Sequence, residues 1–345
     1  MIKHRLISRE LEFIYPFKLA HGTRTSTQVL FLVLEHNNQI AYAESSFPPY
    51  LEETSESCSS QISGIDFSVF ESSLYSQESI SYAVRTFKLS PFARNLVVNA
   101  LIDLGAKLKR TNVEEFCSIP QPDHQPKTCY TLTKNDLPYL GQKLRQAKDF
   151  SHLKLKLDGE NDIEFASTIR YLTQKPFCAD VNQGWEKLSM GNVLDIMEAL
   201  RQMECELIEQ PFSKTNYTRH AELRDKRIIP VYADESIQRI DDYTKYFRNF
   251  DGVNIKLLKS GGLDQALEIA KAVAEKKQGV IIGCMSESSC GCATAASLQS
   301  YANYLDIDGP WLVKNDLFAG FSIVNGVFEK RFHEGIGVIP KQESF

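Results

Sequence analysis

The chain has 345 residues, of which 43% are hydrophobic and 24% are charged, and its formal net charge is −5 at pH 7. This composition is ordinary for a globular protein, and the length predicts two domains or one elaborated barrel. The negative charge argues against a nucleic-acid-binding surface, and no apolar run reaches the length of a membrane span. We therefore expect neither nucleic acid nor membrane as a partner.

The chain contains eight cysteines, and four of them lie inside or beside apolar strand candidates. Free cysteine packs in such places as a small hydrophobic residue. Cys290 and Cys292 form the only close pair in the sequence, and no second pair or histidine cluster completes a zinc site. The first residues lack the apolar core of a secretion signal. We expect reduced thiols and a cytoplasmic protein.

Residues 1–46 alternate between polar and apolar side chains, which is typical of antiparallel strands. Two strands, 27–35 and 40–44, are predicted to form a hairpin through a turn at 36–39. Residues 51–110 contain helical patterns, of which 91–110 has the clearest apolar stripe. A polar stretch with prolines, 117–128, then predicts a linker into a second domain.

From residue 129 onward, short strand candidates alternate with helical patterns. The later seven candidates are 152–157, 177–182, 207–212, 230–235, 252–257, 279–284 and 301–307. Five of them end near an ionisable residue, and these residues are separated by 24, 29, 25 and 22 positions. One strand, one helix and two short loops occupy about that length. The rhythm predicts a (β/α) barrel with its chemistry at the C-terminal ends of the strands.

Residues 152–157 alternate so that Lys154 and Lys156 share one face of a strand and three leucines share the other. A surface strand with exposed lysines gives the same pattern. The later strand candidates favour the barrel interior instead, because they carry carboxylates that would lie beside these lysines.

Asp180, Glu209 and Asp234 end three consecutive strand candidates. Three carboxylates brought together repel one another unless a cation joins them. Their hard oxygen atoms suit Mg²⁺, with Mn²⁺ as the alternative, and suit zinc or copper poorly. A single such carboxylate is more often a helix cap or an ion-pair partner, but three in succession predict a metal site.

Lys156 precedes this acid cluster in the barrel and Lys256 follows it, so we expect the two ammonium groups to approach the metal from opposite sides. A lysine acts as a base only if its pKa falls, and a nearby cation and the neighbouring Lys154 would lower it. The alternative for Lys256 is a salt bridge, and the role of Glu235 stays open. Two bases facing one carboxylate suit removal of the adjacent α-proton and its return to the opposite face.

The ordered motifs Lys-x-Lys, Asp-x-Asn, Glu-Gln-Pro, Asp-Glu-Ser and Asn-Ile-Lys resemble the enolase superfamily in its muconate-lactonising-like subgroup. The resemblance implies a modified TIM barrel, (β/α)7β, at 121–320, an N-terminal α+β capping domain at 1–120, and a segment at 321–345 that returns to the capping domain. It implies that Asp180, Glu209 and Asp234 bind Mg²⁺ and that Lys156 and Lys256 are the acid/base pair. A lysine base with Mg²⁺-stabilised enediolate charge is general in this superfamily and is not a deduction from this chain.

Asp306 and Asp308 end the last strand candidate on one face. An Asp-x-Asp beside Gly-Pro is also a common turn. The motif resembles the Asp-x-Asp of dipeptide epimerases, in which the pair holds the substrate's α-ammonium group. Two acids without a metal partner are physically suited to a cation.

Residues 283–288 are similar to the Gly-Ser-Met-Ile-Glu-Thr strand end of the same enzymes, with departures at Cys284, Ser286 and Ser288. The resemblance implies that Cys284 and Ser286 contact the substrate side chain, and that Thr131 and Lys154 also contact substrate. Because of the departures, the shape of the side-chain pocket stays open.

Arg24 lies in a loop of small residues, 21–26. Loop arginines are usually solvated. In Ala-Glu epimerases an arginine of this capping-domain loop contacts the side-chain carboxylate of the second residue, and Arg24 resembles it. A guanidinium group suits a carboxylate.

Together with these residues, the resemblance implies an isomerase that epimerises the C-terminal residue of a dipeptide, such as L-Ala-D-Glu from peptidoglycan. The predicted partner is a small dipeptide, and a homo-oligomer is compatible with the fold. One alternative is an o-succinylbenzoate synthase or N-acylamino acid racemase on the same scaffold, whose substrates have no free ammonium. A more remote alternative is a barrel that binds a ligand without catalysis.

Overall fold

The computed structural model describes residues 1–19 and 22–341. Its N-terminal part is a three-stranded antiparallel sheet in the order β1-β2-β3, backed by helices. The strands are β1 (Lys3–Leu19), β2 (Gly22–His36) and β3 (Gln39–Phe47). The helices are α1 (Ser55–Ser63), α2 (Gln77–Val84), α3 (Pro91–Leu108) and α4 (Val113–Phe116), with a 3-10 turn at Phe67–Ser73.

The predicted hairpin between β2 and β3 is confirmed. Its two turn residues, Asn37 and Asn38, have φ values of 48° and 63°, and His36 pairs with Gln39. Asparagine tolerates this left-handed conformation, and a two-residue turn of this kind matches the twist of the strands it joins.

Helix α3 joins the N-terminal sheet to the rest of the chain. Ser90 caps its first turn and Pro91 occupies a position where the missing N–H is not needed. Arg94 forms an ion pair with Asp264 at 2.6 Å, and Asn99 Oδ1 accepts a hydrogen bond from the Leu263 N–H at 2.9 Å. The helix is buried on almost every side because it lies between two layers.

The second part is a closed barrel of eight parallel strands, as predicted. The strands are β4 (Lys127–Leu132), β5 (His152–Lys156), β6 (Phe177–Asp180), β7 (Cys205–Glu209), β8 (Val231–Ala233), β9 (Gly252–Lys256), β10 (Gly279–Gly283) and β11 (Tyr304–Asp306). Each pairs with its sequence neighbours, and β11 closes the barrel against β4.

Helices surround the barrel, and they are α5 (Leu140–Gln146), α6 (Asp162–Leu172), α7 (Met190–Gln202), α8 (Tyr217–Asp225), α9 (Ile240–Tyr246), α10 (Leu257–Ser260), α11 (Leu263–Glu275), α12 (Ser289–Ala296) and α13 (Gly309–Leu312). Short 3-10 turns lie at Lys134–Tyr139, Ala147–Asp149, Phe247–Asn249 and Gln299–Tyr301. The last strand of the barrel, β11, is followed by a helix of only four residues, α13. The arrangement agrees with the predicted modified barrel, (β/α)7β.

Several strands end earlier than the sequence pattern predicts. Strand β6 stops at Asp180, and Asn182 and Gln183 have φ values of 45° and 69°, which ends the regular ladder. Gln210, the first residue after β7, also has a left-handed backbone conformation, with a φ of 42°. Side chains just beyond the strands therefore belong to loops around the barrel mouth.

The tail contains four short strands: β12 (Phe318–Ala319), β13 (Phe321–Val324), β14 (Val327–Lys330) and β15 (Ile339–Pro340). It contacts the N-terminal part through a bridge between Asn112 and Gly335. It also contacts the barrel, because the Gly326 N–H donates to Asp149 O at 2.6 Å. Residues 342–345 lie outside the described part of the chain. The division of the chain at residues 120 and 320 stays a prediction.

All eight cysteines are free thiols. Within the described residues, every helix is too short or too polar to cross a membrane.

Candidate active site

Three neighbouring strand ends place a lysine and two carboxylates in one row. Lys156 of β5, Asp180 of β6 and Glu209 of β7 are register partners across the parallel ladders. The three leucines of the β5 segment are buried, and Lys154 is only 2% exposed. The alternative of a surface strand with exposed lysines is therefore wrong, because both lysines point into the barrel.

Lysine ammonium groups lie among the carboxylates. Lys154 Nζ is 2.9 Å from Asp180 Oδ2, 2.8 Å from Glu209 Oε2 and 2.6 Å from Asp306 Oδ2. Lys156 Nζ lies 2.6 Å from Asp180 Oδ2. The oxygen atoms of Asp180 and Glu209 thus converge on a single positive charge.

Asp234 follows β8, and its carboxylate forms ion pairs with one lysine of β9 and one lysine of α10. Its Oδ2 lies 2.9 Å from Lys256 Nζ, and its Oδ1 lies 2.6 Å from Lys259 Nζ. The predicted salt-bridge alternative for Lys256 is therefore present in this structure. The sequence patterns do not single out Lys259, whose only signal is its position about one helical turn after Lys256.

The backbone around Asp234 is fixed by the glutamine of the Glu-Gln-Pro motif. Gln210 Oε1 accepts hydrogen bonds from the Asp234 N–H at 2.9 Å and the Ser236 N–H at 3.1 Å. Its Nε2 donates to Ser236 Oγ at 2.7 Å. This buried side chain ties the loop after β7 to the loop after β8.

These groups shift one another's pKa values. Burial alone raises the pKa of Asp180 and of Asp234, but the adjacent lysines outweigh burial and hold both pKa values well below their usual range. Burial, and then the charge of Asp180, raises the pKa of Glu209 to about 7. Burial lowers the pKa of Lys154 and Lys256, yet the carboxylates outweigh it and raise both pKa values.

The lowering of a lysine base's pKa by a bound cation and by Lys154 stays a prediction. Carboxylates are the nearest charged partners of Lys154 and Lys256 in this structure. A group of the opposite charge within a few ångströms favours the charged form of a lysine.

The donor set suits a hard divalent cation. In residues 1–19 and 22–341, no three acid, thiol or imidazole groups converge with the geometry of a bound metal. The carboxylates of Asp180 and Glu209 instead both contact the Lys154 ammonium group. Carboxylate oxygens alone, without thiol or imidazole, fit Mg²⁺ or Mn²⁺.

The predicted Asp-x-Asp pair, Asp306 and Asp308, lies next to this cluster of lysines and carboxylates. Asp306 Oδ2 contacts Lys154, whereas Asp308 Oδ2 accepts a hydrogen bond from the Thr131 N–H at 2.6 Å. Burial, and then the charge of Asp306, raises the pKa of Asp308 to about 6. The two aspartates therefore have different surroundings.

Arg24 reaches the barrel from the N-terminal sheet. Its Nη2 donates a hydrogen bond to Ser286 Oγ at 3.4 Å. Its guanidinium carbon lies 5.4 Å from the ring centre of Phe13 and 5.6 Å from that of Tyr50. Burial lowers the pKa of Arg24, although a guanidinium group keeps its charge at neutral pH.

These side chains surround a cavity of about 280 Å³. Its predicted lining residues are Arg24, Thr131, Lys156, Asp234, Lys256, Cys284, Ser286, Asp306 and Asp308. Its other lining residues are Tyr50, Leu51, Asn182, Gln183, Lys214, Glu235, Gln238, Lys259, Met285 and Leu312. Most of this second group comes from loops, which the sequence patterns do not place.

Several residues of the predicted motifs are not part of the cavity lining, among them Lys154, Asp180, Glu209 and Ser288. Lys154 contacts Asp180, Glu209 and Asp306, and its contact with substrate stays a prediction. Ser288 caps α12 and its hydroxyl donates to Glu44 Oε2 at 2.5 Å.

Comparison with known proteins places this geometry in a family. A model of the family described as enolase C-terminal domain-like matches residues 140–343. An L-Ala-D/L-Glu epimerase of Bacteroides thetaiotaomicron is 31% identical over 331 residues, covering 96% of this chain and 86% of the relative. An L-Ala-D/L-amino acid epimerase of a Maribacter species is 30% identical over 313 residues, covering 91% of each chain.

A solved structure shows the same fold. The dipeptide epimerase of Enterococcus faecalis, complexed with Mg and L-Leu-L-Tyr, superposes with a TM-score of 0.86 at 22% identity, covering 98% of this chain and 99% of that one. The chain therefore belongs to the enolase superfamily, as the ordered motifs at its strand ends predict.

Proposed function

We propose that this protein is a divalent-metal-dependent dipeptide epimerase that inverts the α-carbon of the C-terminal residue by proton transfer between Lys156 and Lys256. The observation that carries the proposal is the position of these two lysines. Lys156 ends β5 and Lys256 ends β9, and three strands separate them in each direction around the closed barrel. Both line the same cavity.

Asp180, Glu209 and Asp234 are the proposed metal ligands. The convergence of Asp180 and Glu209 on one ammonium group supports this role, as does the absence of softer donors from the cluster. A bound Mg²⁺ or Mn²⁺ would supply a Lewis acid for the terminal carboxylate of the substrate.

The lysines and aspartates perform the remaining functions in this proposal. One lysine removes the α-proton and the other delivers a proton to the opposite face, so the stereocentre inverts. Each lysine must be neutral when it acts as a base, which requires that its carboxylate partner engage another cation. The carboxylates of Asp306 and Asp308 bind the α-ammonium group of the dipeptide.

The proposed substrate has an acidic second residue, as in Ala-Glu, and its proposed source is peptidoglycan. Arg24 supports this choice because its guanidinium group lines the cavity beside Ser286. Two relatives are named L-Ala-D/L-Glu epimerase and L-Ala-D/L-amino acid epimerase, and in our proposal Arg24 determines whether an acidic second residue is preferred.

The test is a dipeptide library in D₂O with Mg²⁺, analysed by mass spectrometry for deuterium at Cα. The matched controls are the same library with a chelator and a library of N-acylamino acids. Exchange confined to dipeptides with an acidic second residue supports the full proposal. Exchange with apolar or cationic second residues retains the epimerase and rejects the role of Arg24. No exchange with any dipeptide rejects the epimerase and favours the lyase or acylamino acid racemase.

A further inference from the structure

Helix α10 is short, but it follows Lys256 directly and carries Lys259, whose ammonium group lies 2.6 Å from Asp234 Oδ1. The Ser260 hydroxyl donates a hydrogen bond back to the Lys256 carbonyl oxygen at 3.1 Å. A helix of four residues forms too few internal hydrogen bonds to hold its own position. The orientation of Lys256 and Lys259 therefore depends on what α10 packs against.

Arg94 of α3 binds the junction between α10 and α11. Its Nη1 donates to the Gly261 carbonyl oxygen at 2.6 Å and to Asp264 Oδ1 at 2.8 Å, and its Nη2 donates to Asp264 Oδ2 at 2.6 Å. The planar fork of a guanidinium group makes these bonds together, which a lysine cannot do. Because Gly261 ends α10 and Asp264 lies in the first turn of α11, one side chain fixes both sides of the junction.

The backbone of the junction packs closely against α3. Gly261 and Gly262 have φ values of 90° and 126°, which favour glycine. A Cβ atom on Gly262 would lie 3.2 Å from Val98 Cβ. The Leu263 N–H, at the start of α11, donates to Asn99 Oδ1. These contacts fix the end of α10 relative to α3.

Lys156 is supported by a different part of the chain. Its ammonium group donates to Asp180 Oδ2 at 2.6 Å and to Asn182 Oδ1 at 3.2 Å. Both acceptors belong to β6 and the loop that follows it. The two proposed acid/base lysines therefore differ in their support, because Lys156 is held from within the barrel and Lys256 adjoins a helix that α3 holds.

We propose that Arg94 is a positioning residue for Lys256, because it fixes the end of α10 against α3 and so determines the geometry of one proton-transfer lysine but not of the other. This inference rests on the proposed function for the identity of the proton-transfer groups. It gives the N-terminal part of the chain a second role, in the acid/base chemistry, besides the contribution of Arg24 to the cavity wall.

The experiment adds Arg94→Met to two single-lysine variants. Lys156→Ala retains Lys256, whereas Lys256→Ala retains Lys156. Each protein is incubated in D₂O with Mg²⁺ and with L-Ala-L-Glu or L-Ala-D-Glu separately. Mass spectrometry measures the initial rate of deuterium uptake at Cα of the Glu residue.

The matched control is Lys107→Met in the same two single-lysine variants. Lys107 is another basic residue of α3 that pairs with an acid, Asp103, and its side chain is 11% exposed, as is that of Arg94. Its ammonium group also donates to the Ile40 carbonyl oxygen, so its partners lie in α3 and the N-terminal sheet. The control therefore removes a comparable ion pair without removing a contact of α10.

We expect Arg94→Met to slow exchange by about tenfold or more when Lys256 is the remaining lysine, because a displacement of about 1 Å can cost about 100-fold in rate. When Lys156 remains, and in both Lys107→Met proteins, the rate should change by less than about threefold, since these sites are independent. An equal loss in the two single-lysine variants, a greater loss where Lys156 remains, or no loss in either overturns the proposal.

Arg94→Lys keeps the test decisive if Arg94→Met does not fold. Lysine retains the positive charge but cannot bind the Gly261 carbonyl oxygen and both carboxylate oxygens of Asp264 together. The same unequal loss is therefore expected, by about threefold or more where Lys256 remains. Equal rates in the two single-lysine variants, relative to their parents, would contradict the inference.

Amide hydrogen exchange of the full chain separates this inference from the proposed function. The N–H groups of Gly261 and Gly262 both donate to the Leu257 carbonyl oxygen, so their exchange reports opening of α10. They should exchange about tenfold faster in Arg94→Met and at the wild-type rate in Lys107→Met. If the wild-type protein exchanges no dipeptide, the proposed function fails, whereas faster amide exchange still supports the hold of Arg94 on α10. Unchanged amide exchange overturns the positioning role.

Discussion

Arg24 of β2 donates a hydrogen bond to Ser286 Oγ, in the loop after β10, at 3.4 Å. Residues 262 positions apart thus form one wall of the cavity. The aromatic rings of Phe13 and Tyr50 contact the guanidinium group and restrict where it can lie. Under the proposed function, the choice of substrate side chain depends on the packing of the N-terminal sheet on the barrel.

Arg24→Met is expected to lower kcat/KM for Ala-Glu by about 10- to 100-fold, because a charge-assisted pair with the substrate carboxylate is lost. The same variant should leave kcat/KM for Ala-Leu within about threefold. Parallel assays of the two dipeptides measure the difference, and Arg24→Lys shows whether charge alone is sufficient. A similar loss for both dipeptides would mean that Arg24 stabilises the structure instead of selecting the substrate.

Removal of divalent metal is expected to abolish α-proton exchange and to lower the melting temperature, because metal bound only to the folded state stabilises it. At a Mg²⁺ concentration of about 100 times Kd the effect is about 2.7 kcal/mol. Asp180→Asn should remove most of this stabilisation in thermal melts with and without Mg²⁺. Asp195→Asn, which removes an exposed acid from α7, is the control, and equal responses of the two variants would count against the metal site.

Stability is expected to fall as pH rises through the pKa of Glu287. Burial, and then the charge of Glu44, raises the pKa of Glu287 to about 8, whereas the unfolded value is about 4.3. The folded protein therefore retains a proton that the unfolded chain has lost, so this contribution is complete below about pH 4 and is lost as pH rises through about 8.

Urea unfolding from about pH 5 to pH 9 measures this effect. Glu287→Gln has no titrating group at this position. Its unfolding free energy should therefore fall less than that of the wild-type protein over this pH range, by on the order of a few kcal/mol. Glu222→Gln, at an exposed position of α8, should leave the slope of the wild-type protein unchanged. A wild-type slope in the Glu287→Gln variant would show that Glu287 does not titrate in this range.

The sequence predicted the strand-end residues well, for a physical reason. Asp180, Glu209 and Lys256 each end an apolar run, and parallel strands in a barrel bring such ends to one mouth. The alternation in β5 likewise assigned Lys154 and Lys156 to the interior face.

Other features could not be predicted from these patterns. Alternation determines the face on which Lys154 lies but not its partners, because Asp180 and Asp306, which it contacts, come from other strands. Lys259 lies on a four-residue helix that carries no clear apolar period. Lys214 and Gln238 reach the cavity from loops, whose conformations depend on tertiary contacts.

The most direct test of the two-lysine account is stereospecific exchange in D₂O by Lys156→Ala and Lys256→Ala. Both variants should lose epimerisation by a factor of about 10³ or more, which is within the usual range for removal of an acid/base group. Each should still exchange the α-proton of the one epimer whose proton faces the remaining lysine, and the two variants should favour opposite epimers. Full epimerisation by either variant would contradict the account.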